Sequence, residues 1–137
     1  MPFVHVKVAA EHPSPEHTTA IQSGITALMA SVLGKDASLT AVLVERMAPG
    51  AWSIGGRPVA LAAQVDAIVS AGTNSPAQKA RFVAEAMVLL RRVLGPGLHD
   101  VSYVVVHDLP RDSWGYGGLT QAARAAQAEA VSPAAAA

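Results

Sequence analysis

Pro2 is a candidate base because only Met1 precedes it in the sequence, so that loss of Met1 would make Pro2 the first residue. Within a peptide bond, the proline nitrogen is a non-basic amide without a proton. Removal of Met1 would convert it into a secondary amine. An α-amino group has a pKa of ~8, and apolar neighbours such as Phe3, Trp52 or Trp114 would lower this pKa by disfavouring the cation. Pro2 is therefore a candidate general base at neutral pH, although a proline here can also serve only to favour removal of Met1.

Three arginines near predicted strand ends and hairpins are candidates to bind a carboxylate: Arg46, Arg57 and Arg111. An arginine can hold a carboxylate through two parallel hydrogen bonds. Arg46 and Arg111 are the stronger candidates because they flank the two glycine-rich hairpins. The alternative for each is a solvated surface arginine, since strand ends and hairpins are usually exposed.

Residue types and spacing disfavour several other kinds of site. The chain has no cysteine, which excludes disulfides, thiolate catalysis and cysteine zinc sites. The five histidines are scattered without ligand spacing, so no metal site is predicted. The glycine-rich segment 115–118 lacks the lysine of a phosphate loop and fits a tight hairpin. His107 and Asp108 follow a predicted buried strand, where they form either a strand-end polar pair or part of a pocket.

Charge and hydropathy exclude two classes of partner. Ten basic residues balance ten acidic ones, so no net field favours nucleic acid or an anionic membrane. No apolar run approaches the roughly 20 residues of a transmembrane helix, and the N-terminus lacks the blocks of a signal peptide. An apolar content of 51% is enough for one core. We expect a cytoplasmic protein with a single domain over residues 1–137.

An internal repeat organises the chain. Ser14-Pro15 aligns with Ser75-Pro76 at an offset of 61 residues, and the hairpins at 51–56 and 113–118 align at an offset of 62. Agreement at both the helix cap and the hairpin predicts a duplicated unit, with repeats at about 2–57 and 63–118. The remainder, 119–137, is predicted to be an Ala-rich helix to about residue 131 and then a frayed tail.

Each repeat has the periodicity of a strand, a helix and a second strand. Apolar residues alternate over 3–8, and β-branched residues over 41–45 and 101–106 predict the second strands. Ser14 and Ser75, each followed by proline, are typical helix starts. The predicted fold class is α/β (α+β): two tandem β-α-β units form a four-stranded sheet with two helices on one face, plus short hairpins. The other sheet face needs burial, which oligomerisation would supply.

These features together resemble the 4-oxalocrotonate tautomerase family. The resemblance rests on the opening Met1-Pro2-Phe3-Val4, the β-α-β order, Leu39-Thr40-Ala41-Val42 and the segment 47–56, which ends in Ile54-Gly55-Gly56. The duplication is similar to that of fused members, in which one chain carries two β-α-β units and three chains form a pseudo-hexamer. The resemblance covers roughly residues 2–118. It implies a homotrimer without a cofactor, in which Pro2 moves a proton between an enol and its keto form.

The sequence departs from the family pattern in its second half and in its arginines. Pro2 aligns with the internal Ala63, so we expect one catalytic proline per chain. Where the family has an arginine after the first strand, this chain has His12 or Pro13. The second-strand arginine aligns with Leu43 or with Ala41, depending on the direction of counting, and Arg46 is a candidate substitute.

The decarboxylase and dehalogenase branches of the superfamily carry arginines where this chain has Thr73 and Asn74, and their water-activating carboxylates have no clear counterpart. The resemblance places Trp52 at an apolar aromatic wall of the site, and Trp114 is the equivalent residue of the second repeat. The alternative for both tryptophans is packing between the units.

The sequence therefore predicts a cofactor-independent keto–enol tautomerase, an isomerase, that acts on a small 2-oxo acid. Pro2 is the predicted catalytic residue, and the predicted substrate-binding residues are Arg46, Trp52, Arg111 and Trp114. The alternatives are a superfamily decarboxylase or dehalogenase, and a non-catalytic trimeric scaffold or binding protein.

Overall fold

The strands and helices follow the duplicated order that the sequence predicts. The structure is a computed structural model that describes residues 2–12 and 14–131; the predicted tail at 132–137 and Pro13 lie outside these ranges. The elements are β1 (Phe3–Ala10), α1 (Pro15–Ser31), β2 (Ala41–Met47), β3 (Ser53–Ile54), β4 (Arg57–Pro58), β5 (Leu61–Ser70), α2 (Pro76–Leu94), β6 (Tyr103–Leu109), β7 (Gly115–Tyr116), β8 (Leu119–Thr120) and α3 (Gln121–Val131).

Four long strands form one sheet in the order β2-β1-β5-β6. The outer pairs, β1 with β2 and β5 with β6, are parallel because a helix crosses over between the two strands of each pair. The central pair, β1 with β5, is antiparallel over eight residues, from Phe3 opposite Ile68 to Ala10 opposite Leu61. The predicted fold class is thereby confirmed. The short strands form two separate hairpins, β3-β4 and β7-β8.

Both long helices begin at the serines identified in the sequence. The Ser14 hydroxyl accepts a hydrogen bond from the Glu16 amide. Ser75 accepts from the Gln78 amide, and the Gln78 side chain accepts from the Ser75 amide, which completes a capping box. These caps satisfy helix amides that have no partner within the helix. The first residue of each helix is therefore fixed by residues close to it in the sequence.

The second strand of the second unit starts later than predicted. The β-branched run begins at Val101, yet β6 begins at Tyr103. The Val101 amide donates to the His99 ring, and the Ser102 hydroxyl donates to the His99 carbonyl. These local bonds hold the two residues in a turn that precedes the strand.

The core lies between the sheet and the two long helices. Alternate residues of β1 and β5, including Val4, Val6 and Val65, are fully buried against Ile25 of α1 and Phe82 of α2. The opposite face of the sheet leaves large apolar side chains exposed: Phe3, Leu43 and Tyr103. We refer to it as the open face. Within the described ranges, no helix has both the length and the apolar character needed to span a bilayer.

We predict that Phe82→Ala lowers the free energy of unfolding by about 3–5 kcal/mol, because Phe82 is fully buried and its loss leaves a cavity. The control Val88→Ala, on the same helix but 59% exposed, should change it by less than about 0.5 kcal/mol. Both values are measured by denaturant unfolding at one protein concentration. Equal effects would show that the helix faces are assigned wrongly.

Candidate active site

Pro2 lies at the edge of the sheet where strand β1 begins. Its carbonyl accepts a hydrogen bond of 3.2 Å from the Ala41 amide, which extends the pairing of β1 with β2. Since Phe3 lies opposite Ile68, Pro2 adjoins the last residues of β5. Pro2 is buried. The sheet therefore fixes the position of this residue, although its neighbour Phe3 is partly exposed on the open face.

A cleft of about 240 Å³ opens beside Pro2. Segments from both repeats and from α3 meet there, because the start of β1, the end of α1 and the ends of β5 and β6 lie at one end of the sheet. The cleft is lined by Pro2, Lys35, Val69, Ser70, Thr73, Arg111, Gln121 and Ala125.

Lys35 reaches the cleft from the residue after the Gly34 turn that follows α1. Its Nζ donates a 2.9 Å hydrogen bond to the Thr73 hydroxyl, which in turn donates to the Ser70 carbonyl at 2.6 Å. Burial lowers the pKa of the Lys35 ammonium below its ordinary value, and the nearby Arg111 guanidinium lowers this pKa further, while Asp108 acts in the opposite direction. Lys35 is thus a positioned cation in a site that disfavours its charge.

Arg111 follows the end of β6 and lines the same cleft as Pro2. Its carbonyl accepts a 3.0 Å hydrogen bond from the Ala122 amide in the first turn of α3. The structure therefore brings two of the predicted site residues, Pro2 and Arg111, to one place. Two cationic side chains face one small space there, which is an arrangement suited to an anion.

The structure places Arg46 at the opposite end of the sheet from Pro2. Its Nη2 donates to the Thr18 hydroxyl at 3.3 Å, and it lines a separate cavity with Ser14 and His17. Arg57 lies in the exposed hairpin strand β4. Within one chain, neither arginine is a neighbour of Pro2.

Neither tryptophan lines the Pro2 cleft within one chain. Trp52 lines a cavity with Lys7 and Gln64, and Trp114 borders a groove with Leu119. Each contributes a backbone bond to its hairpin: the Val59 amide donates to the Trp52 carbonyl at 3.0 Å, and the Gln121 amide to the Trp114 carbonyl at 2.9 Å. The second bond ties the start of α3 to the hairpin.

Sequence reasoning missed Lys35 and Gln121. It considered Thr73 only as a position where the decarboxylase and dehalogenase branches have an arginine. No spacing motif marks these residues. A topological signal existed for Lys35, because the helix of a β-α-β unit ends near the start of the first strand, where Pro2 lies. Among the described residues, no group of three or more His, Asp or Glu side chains is placed to hold a metal ion.

Comparisons with known proteins agree with this architecture. The family model for tautomerase enzymes matches residues 2–62. A protein of Dickeya dadantii (strain 3937), described as a probable tautomerase, is 30% identical over 59 residues, which is 43% of this chain and 88% of that protein.

Solved structures of similar fold cover both repeats. A wild-type fused 4-OT that forms an asymmetric trimer has a TM-score of 0.77 at 23% identity, over 89% of this chain and 98% of that one. A fused 4-OT that forms a symmetric trimer has a TM-score of 0.78 at 19% identity, with the same coverage. A member of the cis-3-chloroacrylic acid dehalogenase family has a TM-score of 0.76 at 19% identity, over 86% of this chain and 82% of that one.

We predict that Gly115→Ala disturbs the cleft from outside it. A Cβ at Gly115 would overlap the Leu119 carbonyl across the β7-β8 hairpin that carries α3. Stability should fall by about 1–3 kcal/mol, and hydrogen exchange over 119–125 should accelerate. The control is Gly50→Ala, whose Cβ would meet no atom within 4 Å. Unchanged exchange in Gly115→Ala would contradict the role of this hairpin in holding α3.

Proposed function

This chain belongs to the tautomerase family, and from this premise we propose that it is a cofactor-independent keto–enol tautomerase, an isomerase of small 2-oxo acids, with Pro2 as its general base. The observation that carries the proposal is the cleft in which Pro2 adjoins two cationic side chains, Lys35 and Arg111. A proline amine alone could serve several reactions. The paired cations next to it favour a substrate with a carboxylate.

The chemistry of the cleft walls supports this substrate class. Lys35 and Arg111 would bind the carboxylate by charge-assisted hydrogen bonds. Val69 and Ala125 offer apolar contact to an aromatic or unsaturated body. A volume of about 240 Å³ suits a small molecule. Thr73 acts on the substrate through Lys35, because its hydroxyl accepts the Lys35 hydrogen bond.

The proposed reaction moves one proton and needs no other reactant. The neutral Pro2 amine accepts the proton of the enol hydroxyl, and the resulting enolate then takes a proton at C3 from the Pro2 ammonium. The carbon–carbon double bond becomes a carbon–oxygen double bond, and the amine is regenerated. The cations beside Pro2 keep its amine in the unprotonated form that can accept the enol proton, and they stabilise the enolate that results.

The alternatives are less well supported. Dehalogenation or decarboxylation in this superfamily relies on a carboxylate that activates water, and the described residues that line the cleft include no aspartate or glutamate. The nearby Asp108 is paired with Lys79. A non-catalytic scaffold gives no account of a half-buried lysine held against Thr73 at the proline.

We also propose that the protein is a cytoplasmic homotrimer, a pseudo-hexamer of β-α-β units. The trimeric fused 4-OT proteins of the same fold support this assembly, as does the exposed apolar surface of the open face. The absence of cysteine fits a reducing compartment. Arg46, Trp52 and Trp114 would then contribute to substrate binding from a neighbouring chain.

The role of Pro2 is tested by comparing protein that intact mass shows to begin at Pro2 with protein that keeps an N-terminal extension. The extension turns the Pro2 nitrogen into an amide, so kcat/KM for the enol of phenylpyruvate or for 2-hydroxymuconate should fall by at least about 10²–10⁴-fold. Circular dichroism checks that the fold is retained. Equal turnover by both proteins would exclude Pro2 as the base, and no turnover by either would count against the proposed function.

The role of Lys35 is tested by the pH dependence of KM. Its pKa is lowered, so Lys35 should lose its charge at a lower pH than the ~10.4 of a free lysine, and KM should rise as the pH increases into that range. Lys35→Arg should remove this rise, because arginine stays charged. Lys35→Met should raise KM about 10- to 100-fold at neutral pH. The control Arg81→Met removes an exposed cation on α2; an equal effect there would refute a specific role of Lys35.

A further inference from the structure

The cleft beside Pro2 contains an amine that the proposed reaction uses only as a cation. The chain has three lysines, and of these Lys35 lines the cleft. Lys7 lines a separate cavity, and Lys79 is ion-paired with a carboxylate on β6. After removal of Met1, the cleft therefore holds two amines of different kinds, the primary amine of Lys35 and the secondary amine of Pro2.

The surroundings of Lys35 favour its neutral form, which is the form that can act as a nucleophile. Burial lowers the pKa of the Lys35 ammonium and the Arg111 guanidinium lowers this pKa further, whereas Asp108 raises it. Asp108 is itself paired with Lys79, and the described residues that line the cleft include no carboxylate. Desolvation and a neighbouring cation are the two conditions that activate a lysine amine for attack on a carbonyl carbon.

The hydrogen bond to Thr73 leaves the lone pair of a neutral Lys35 amine available. The Thr73 hydroxyl donates its proton to the Ser70 carbonyl at 2.6 Å. At its 2.9 Å contact with Lys35 Nζ, this hydroxyl therefore accepts a hydrogen bond and does not donate one. An ammonium has only donors, but a neutral amine bound in this way keeps a second N–H and its lone pair. The contact thus positions the nitrogen without using the electrons needed for attack.

We propose that Lys35 is a nucleophile of this cleft: it forms an imine with the keto form of a small 2-oxo acid, and Pro2 then removes a proton from C3 of this imine to give an enamine. The inference deepens the proposed function and rests on it for the substrate class and for the base. In a 2-oxo acid, C2 is bonded directly to the carboxylate carbon. A carboxylate held by Arg111 therefore places C2 on the side of the cleft that Lys35 lines.

Formation of the imine releases one water and needs no oxidant or reductant. The Lys35 lone pair forms a bond to C2, the π pair of the carbonyl group moves to oxygen, and one proton passes from nitrogen to this oxygen to give a carbinolamine. The remaining nitrogen lone pair then forms the carbon–nitrogen double bond while the carbon–oxygen bond breaks. The departing hydroxide takes the second nitrogen proton and leaves as water.

The enamine step uses Pro2 as the base. The imine nitrogen takes a proton from water, which makes the C3 protons more acidic. The neutral Pro2 amine then accepts one of them. The electron pair of the broken carbon–hydrogen bond forms a carbon–carbon double bond, and the π pair of the carbon–nitrogen bond returns to nitrogen. Reversal of all these steps releases the 2-oxo acid with an exchanged proton at C3 and regenerates both amines.

Reductive trapping tests the imine. The protein is incubated with pyruvate and sodium cyanoborohydride, which reduces an imine to a stable secondary amine, and peptide mapping by mass spectrometry locates the adduct. The adduct should form fastest on Lys35, and it should be lost in Lys35→Arg, which keeps the charge without a nucleophilic amine. The matched control Lys79→Arg should leave it unchanged. An adduct that forms no faster on Lys35 than on Lys7 or Lys79, or that forms on Pro2 alone, overturns the proposal.

Deuterium exchange tests whether the imine leads to an enamine. In D₂O, exchange of the C3 protons of pyruvate, followed as loss of the methyl signal in proton NMR, should fall at least about tenfold in Lys35→Arg. Ketonisation of the phenylpyruvate enol needs no imine and should persist in this variant, because arginine still binds the carboxylate. Persistence also shows that the variant is folded. Equal exchange by the variant and the unaltered protein overturns the enamine step.

Failure of this inference is distinguishable from failure of the proposed function. Unaltered protein that ketonises the enol but gives no Lys35 adduct would overturn the inference and leave the tautomerase activity standing. Unaltered protein that gives the Lys35 adduct but does not ketonise the enol would support the imine and overturn the tautomerase activity.

Discussion

The antiparallel pairing of β1 with β5 is the contact on which the rest of the molecule depends. It joins the two β-α-β units into one sheet and brings the end of β5 to the start of β1. Because β6 runs parallel to β5, Arg111 arrives at the same end, and α1 returns Lys35 to it as well. The cleft beside Pro2 follows from this single pairing. The same pairing sets His5 opposite Asp66 on the open face.

The cleft concentrates positive charge in a small space. Partial burial lowers the pKa of the Lys35 ammonium, and the Arg111 guanidinium lies near enough to lower this pKa further. Like charges held together in this way destabilise the empty site. An anionic ligand would relieve both the repulsion and the poor solvation. The hydrogen bonds from Lys35 to Thr73 and from Ala122 to Arg111 hold the arrangement in place before a ligand arrives.

Duplication within one chain allows the two halves to differ where a dimer of identical units could not. The proposed catalytic proline, Pro2, belongs to the first unit, and its counterpart in the second unit is the internal Ala63. The second unit contributes Thr73 and Arg111 to the cleft instead. The two units thus contribute different residues to one cleft.

The sequence by itself determined the elements of the two β-α-β units: alternating valines in β1, serine caps before both helices and matched hairpins specify them, because these signals are local. It also singled out Pro2 and Arg111. Tertiary structure alone decided that Lys35 and Gln121 line the cleft with them, and that Arg46 and both tryptophans do not within one chain. The reason is that a cleft joins residues from five segments far apart in sequence, and only the sheet register brings those segments to a common edge.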